Sequence, residues 1–137
     1  MLKKILFVDD EKAILDSLKR ILHEKNQIWD MAFAINAAKA LKLLEQSAYD
    51  VAVLDIKMPG ENGFELLSKI KSNPRTKDVE VIVLTGQTEE NLKREALDLG
   101  ATDLINKPVQ KEDLIARLNS VLRIKSYINT LKGHNRI

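Results

Sequence analysis

The stretch Lys4-Ile-Leu-Phe-Val-Asp-Asp-Glu11 decides how the rest of the chain is read. The apolar run Ile5 to Val8 is too short for a buried helix and stops abruptly at two carboxylates. A brief apolar block bounded in this way predicts a strand covered on both faces. The same form recurs downstream: Val51-Ala-Val-Leu54 ends at Asp55, and Val81-Ile-Val-Leu84 ends at Thr85.

Between these blocks the spacing of apolar residues changes from continuous to helical. Glu11 to Lys25 carries Ile14, Leu15, Leu18, Ile21 and Leu22 at positions that share one helix face. Asn36 to Gln46 turns Ala37, Ala40, Leu41 and Leu44 inward, and Gly63 to Lys71 does the same with Phe64, Leu67 and Ile70. Further helices are predicted over Glu89 to Leu99 and from Lys111 onward. The remaining strands are Gln27 to Phe33, more polar and so nearer an edge, Val79 to Leu84, and Thr102 to Ile105. Pro59, Pro74, Pro108, Gly60, Gly86 and Gly100 all fall between elements, where their backbone constraints do least harm.

Strand alternating with helix implies a parallel sheet covered on both faces: an α/β, three-layer, doubly wound architecture. Right-handed crossovers bring every strand C-terminus to one edge, where such folds bind their ligands. The unusual polar residues follow that rule. Asp9-Asp10, Asp55, Thr85 and Lys107-Pro108 each come directly after a strand.

Composition narrows the choices. The 137 residues are 45% hydrophobic and 31% charged, enough to bury a core without metal or disulfide. There is no cysteine, which excludes a disulfide framework, a thiolate zinc site and a cysteine nucleophile, and accords with a cytoplasmic setting. The net charge of +2 belongs to the tail: Arg123, Lys125, Lys132 and Arg136 face no acid from Arg123 to the end, so the remainder is net negative. With aromatics at 4%, no direct nucleic-acid contact is expected. The apolar start is too short for a signal peptide, and no run approaches the ~20 residues of a membrane span.

Taken singly, the polar residues have plain explanations. Asp10 can N-cap the first helix, Asp55 can open a turn with Pro59-Gly60, Thr85 can cap the next helix, and Lys107 can be a solvated loop lysine. Together at one sheet edge they mean more. Two carboxylates ~4 Å apart repel by ~4 kcal/mol at an effective dielectric of about 20. Asp9, Asp10 and Asp55 therefore call for a hard divalent cation, with Lys107 as a second positive charge and Thr85 as a hydroxyl donor. A carboxylate, Mg²⁺, a lysine and a hydroxyl make a phosphoryl-transfer site with an aspartate acceptor.

These residues resemble the receiver domain of two-component response regulators, the CheY-like superfamily, over Lys3 to Arg123. The resemblance is carried by Ile5-Leu-Phe-Val-Asp-Asp-Glu11, Leu54-Asp-Ile-Lys-Met-Pro-Gly60 with Gly63, Val83-Leu-Thr-Gly86, Gly100-Ala-Thr-Asp103 and Lys107-Pro108. It implies a flavodoxin-like (βα)5 sheet of order 2-1-3-4-5. It also implies that Asp55 accepts a phosphoryl group from a phosphohistidine of a sensor histidine kinase or phosphotransfer protein. Asp10 would ligate Mg²⁺ directly, Asp9 through water, and Lys57 through its backbone carbonyl. Lys107 would pair with a phosphoryl oxygen, Pro108 would follow a cis peptide bond, and Thr85 would swing toward the phosphoryl group. The surface that changes would be the helix after Thr85, the last strand and the last helix. The domain is not expected to be an enzyme beyond its own phosphotransfer and dephosphorylation.

Two departures from the family pattern stand out. Leu104 stands three residues before Lys107, where an aromatic switch residue is usual. Ala37 and Lys39 stand where glycine and glutamate are common, on a helix far from the switching surface.

The last helix also runs long. Val121, Ile124, Ile128 and Leu131 form a heptad-like seam that Leu114 would extend backwards across Arg117, with Gly133 as a helix end. Residues 124–137 then read as an extension that lies on its own domain, pairs with a copy of itself, or leads to an output domain or effector. Leu122-Arg-Ile-Lys125 resembles the linker between receivers and cyclic-dinucleotide enzymes.

Other functions fit less well. An aspartate-nucleophile phosphatase needs a second acid two residues past the nucleophile, and Lys57 is there. A flavin-binding protein needs a phosphate loop where Asp9-Asp10-Glu11 would repel one. The alternative kept is a phosphorylation-independent interaction module, a reading that goes with loss of an acid or of the lysine. None is lost here.

Overall fold

The computed structural model describes residues 2–56, 62–86 and 90–135. Five strands, β1 (Lys3–Val8), β2 (Trp29–Ala34), β3 (Val51–Asp55), β4 (Glu80–Thr85) and β5 (Asp103–Asn106), form one parallel sheet of order β2-β1-β3-β4-β5. Five helices connect or follow them: α1 (Lys12–Ile21), α2 (Ala37–Gln46), α3 (Gly63–Ser72), α4 (Glu90–Asp98) and α5 (Lys111–Asn135). The expected class and strand order are both observed.

Side-chain alternation explains the layers. In β1, Ile5 and Phe7 belong to one core cluster while Leu6 and Val8 belong to the other. β3 divides the same way, Val51 and Val53 against Ala52 and Leu54, and β4 divides Ile82 and Leu84 against Val81 and Val83. Leu15 and Leu18 of α1 and Leu114, Leu118 and Val121 of α5 cover one face. Ala40 and Leu44 of α2, Leu66, Leu67 and Ile70 of α3 and Ala96 of α4 cover the other. Apolar residues on both faces of the inner strands are thus a direct consequence of helices on both sides.

Several boundaries differ from expectation, and the reasons are local. The first helix ends at Ile21, and a single 3-10 turn over His23–Lys25 follows, with Ile28 N–H bonded to the Lys25 carbonyl at 3.0 Å. That reversal consumes Gln27 and Ile28, so β2 begins at Trp29, which is buried where Ile28 is exposed. β3 and β4 each run one residue past their apolar block. Asp55 and Thr85 are themselves ladder residues, opposite Leu84 and Asn106 respectively. Backbone pairing is indifferent to side-chain polarity, so an apolar run marks only the minimum extent of a strand.

α5 departs further. Val121 is buried against the sheet rather than exposed on a seam, so the expected stripe starts at Ile124. Gly133 does not end the helix, which continues to Asn135. No helix among the described residues is long and apolar enough to cross a membrane.

Candidate functional site

The sheet's C-terminal edge gathers the polar residues through its backbone. Asp9 N–H donates to the Ala34 carbonyl at 3.1 Å, carrying the β1–β2 ladder one residue past Val8. Ile56 N–H donates to the Leu84 carbonyl at 3.1 Å, and Lys107 N–H to the Thr85 carbonyl at 2.8 Å. The residues that follow β3 and β5 are therefore each tied to the end of β4. The Lys107–Pro108 peptide bond is cis.

Asp9, Asp10 and Asp55 each offer a carboxylate oxygen, and these oxygens lie within 4.8 Å of one another. Asp9 and Asp55 are buried, at 1% and 4% exposure, and Asp10 is half-buried. Lys107 closes the cluster: its Nζ lies 3.1 Å from Asp55 Oδ1 and 3.5 Å from Asp9 Oδ2. Burial pushes the Asp9 carboxyl above its ordinary pKa. The Glu11 N–H, 2.9 Å from Asp9 Oδ1, works against that shift, and the Asp55 charge adds to it. For Lys107, burial acts to lower the pKa. The hydrogen bond and attraction to Asp55, with Asp9 beside it, outweigh this and hold the ammonium above its usual range.

The plain single-residue readings fail for Asp10 and Lys107. The N-cap of α1 is Glu11, with no side-chain cap, so Asp10 does not cap it. Lys107 is ion-paired rather than solvated, with its side chain 24% exposed. Thr85 is fully buried and ends β4. By strand alternation it shares the face of Val81 and Val83, the face that α4 packs on. Leu104, opposite Val83 in the ladder, is half-buried and packs against that same cluster. Lys57, Pro59 and Gly60 lie outside the described residues.

One position of the site was underread in the sequence. A Cβ built on Gly63 would stand 2.5 Å from the Asp55 carbonyl oxygen and 2.6 Å from Ile56 Cα, closer than any side chain tolerates. The N-terminus of α3 therefore lies directly on the backbone of Asp55, and Gly63 N–H bonds the Ile56 carbonyl at 2.9 Å. Asn62 caps that helix, its Oδ1 accepting from Glu65 N–H at 2.9 Å. The Asn62-Gly63 pair was the available signal, because an N-cap residue followed by glycine marks both a helix start and a close approach.

Among the described residues, three carboxylates stand against one lysine, an excess of negative charge at a largely buried site. That donor set suits a hard divalent cation with oxygen ligands.

Comparison with known proteins gives one consistent picture. A family model described as the response regulator receiver domain matches residues 5–119. The regulatory protein VanR of Enterococcus faecium is 36% identical over 135 residues, which cover 98% of this chain and 56% of VanR. This chain spans about half the length of the first curated relatives it matches, 56% and 52%. Among solved structures, a CheY-like response regulator receiver domain protein from Methanospirillum hungatei is similar at 33% identity and a TM-score of 0.84, with 93% of this chain and 98% of that one covered. A chain described as adenylate cyclase from Rhodopirellula baltica is similar at 25% identity and a TM-score of 0.88, covering 99% of this chain and 98% of its own.

Proposed function

The chain belongs to the response regulator receiver domain family, and from that premise we propose that it is a phosphorylation-controlled switch with Asp55 as the phosphoacceptor. The observation that carries the reading is the convergence of Lys107 on Asp55 at 3.1 Å beside the acids Asp9 and Asp10. In the reaction, an Asp55 carboxylate oxygen attacks the phosphorus of a partner kinase's phosphohistidine. The P–O bond forms, the P–N bond breaks, and the imidazole leaves with the electron pair, so that Asp55 becomes an acyl phosphate.

The chain's own residues prepare that step. Lys107 neutralises part of the charge that builds on the phosphoryl oxygens. Asp10, Asp9 through water, Asp55 and the Lys57 carbonyl would hold Mg²⁺, which when bound supplies the positive charge that lets two anions approach. Burial of Asp9 and Asp55 keeps the local dielectric low, which strengthens each of these attractions.

The switch follows from the same contacts. Moving a two-state equilibrium from 1:99 to 99:1 takes ~5.5 kcal/mol of differential interaction. Charge-assisted bonds from Lys107 and Thr85 to a phosphoryl group, at ~1.5–3 kcal/mol each, approach that figure. Thr85, on the α4 face of the sheet, would carry the change to α4, β5 and α5. Leu104, placed half-buried against that face, would report it by repacking in place of an aromatic rotamer. The kinase or phosphotransfer protein is the upstream partner. Residues 1–123 are assigned to the receiver domain, and 124–137 to an extension that pairs with a second copy or leads to an output domain or effector. A phosphorylation-independent module has no specific feature in its favour, since every acid and the lysine are present.

The test is intact-mass spectrometry after incubation with acetyl phosphate and Mg²⁺, beside Asp55→Asn and a metal-free control. One phosphoryl adduct that needs both Asp55 and Mg²⁺ is expected. Folded wild-type protein that gains no adduct would overturn the reading.

A further inference from the structure

Along α5 the faces change character near the far end of the sheet. Leu114, Leu118, Val121 and Leu122 are buried against it, and the next position on that stripe is not apolar. It is Lys125, whose side chain is also buried, at 9% exposure. Its ammonium donates to the Asp78 carbonyl oxygen, 47 residues away in sequence. Asp78 precedes β4, so this contact sits at the edge of the sheet opposite Asp55.

The neighbouring carbonyls are taken by a second lysine. Lys71 Nζ donates to the Lys77 carbonyl at 3.1 Å and to the Val79 carbonyl at 2.5 Å. Three successive carbonyls, those of Lys77, Asp78 and Val79, thus accept from two ammonium groups on two different helices. The Lys71 stem is confined beneath Gly100, where a Cβ would stand 3.1 Å from Lys71 Cγ and φ is +105°. Thr76 Oγ1 donates to the Ile70 carbonyl at 2.7 Å and ties the same segment to α3. The segment is therefore held from α3 on one side and from α5 on the other.

On a different face of α5, Ile124, Tyr127, Ile128 and Leu131 are exposed at 51%, 68%, 38% and 62%. Their spacing of three, one and three places them on one stripe, rotated away from the stripe that packs on the sheet. Which way that apolar stripe points depends on the rotation of α5 about its own axis. Arg117 fixes that rotation about two turns upstream, through its paired contacts to Asp103, and at position 125 a leucine would add only non-directional contact. A buried ammonium is different, since it must keep a hydrogen-bond acceptor or leave the interior.

We propose that Lys125, by holding the Asp78 carbonyl, is the anchor that sets the rotation of α5 beyond Arg117 and so fixes the direction in which the Ile124–Leu131 stripe is presented. The anchor itself stands on these contacts alone; its service to an output partner or second copy rests on the reading of residues 124–137 given above.

Hydrogen–deuterium exchange of the full chain tests it, comparing wild type with Lys125→Met, which keeps the length and apolar stem but removes the donor. Amides of Thr76 to Val79 and of Arg123 to Leu131 should exchange about fivefold faster in the variant, while those of β3 and of Leu114 to Val121 are unchanged. No change in either segment, or an equal acceleration throughout β3, would overturn the anchor. Should the variant not fold, amine acylation of wild type decides: Lys125 should react about tenfold more slowly than exposed Lys39, and equal rates overturn the proposal.

Discussion

Asp9 sits in an environment that opposes its charge. It is nearly inaccessible, and burial together with its neighbours Asp55 and Asp10 raises its pKa against the Glu11 N–H and Lys107. Between the ordinary carboxyl pKa and that raised value, the native state binds more protons than the unfolded chain, so stability falls as pH rises through the interval. Asp9→Asn keeps an oxygen for the Glu11 N–H and removes the charge. In metal-free buffer at pH 7 the variant should show a higher urea midpoint than wild type, with the gap narrowing as pH falls toward about 4. A lower midpoint at pH 7 would mean that the attraction to Lys107 outweighs the burial. Thr85 raises a different question, since it is fully buried on the α4 side of the sheet while the acids cluster at its edge. Thr85→Ala should still form the Asp55 adduct in intact-mass spectra. It should lose much of the exchange change in α4 that phosphorylation produces, by an amount on the order of one hydrogen bond, ~1.5–3 kcal/mol of coupling. An unaltered α4 response would remove Thr85 from the switch.

At the scale of elements, the caps show how local chemistry supports a distant function. Asn36 caps α2, with Oδ1 2.8 Å from Lys39 N, and Asn62 caps α3 in the same way. The second cap does more than end a helix, because Gly63 beside it rests on the Asp55 carbonyl. Both Asn36→Ala and Asn62→Ala should cost about 1 kcal/mol of stability by denaturant unfolding. Only Asn62→Ala should also slow adduct formation, and equal rates for the two would show that the α3 cap does not position the acceptor. In α5, Arg117 links helix to sheet through paired contacts to Asp103 at 2.8 and 2.9 Å, with Asp113 one turn away at 2.9 Å. That pair occupies the position where a seam running back from Ile124 to Leu114 would have needed an apolar residue.

For the whole molecule, a cation held by the acidic cluster, as proposed above, would couple metal binding to folding. A cation that binds only the native state stabilises it by about 2.7 kcal/mol at 100 times its dissociation constant. Mg²⁺ should raise the melting temperature of wild type and have much less effect on Asp9→Asn or Asp55→Asn, as read by calorimetry with a chelator control. An equal rise in all three would place the ion elsewhere.

Much of this was legible in the chain itself. Apolar blocks ending in Asp9, Asp55 and Thr85 announced both a parallel sheet and the residues at its edge, because a strand buried on both faces leaves room for polar side chains only at its ends. Periodicity gave the helices, and residue order alone brought Asp9, Asp10, Asp55 and Lys107 to one place through the right-handed crossover. What the tertiary structure decided is of another kind. That Gly63 must lack a side chain, that Val121 faces inward while Ile124 faces out, and that Lys125 and Lys71 share three carbonyls all depend on segments far apart in sequence meeting at a set distance. Hydrophobic pattern is a property of neighbours along the chain and survives in the sequence. Steric contact and the satisfaction of a buried charge are properties of neighbours in space, and only the packed chain defines them.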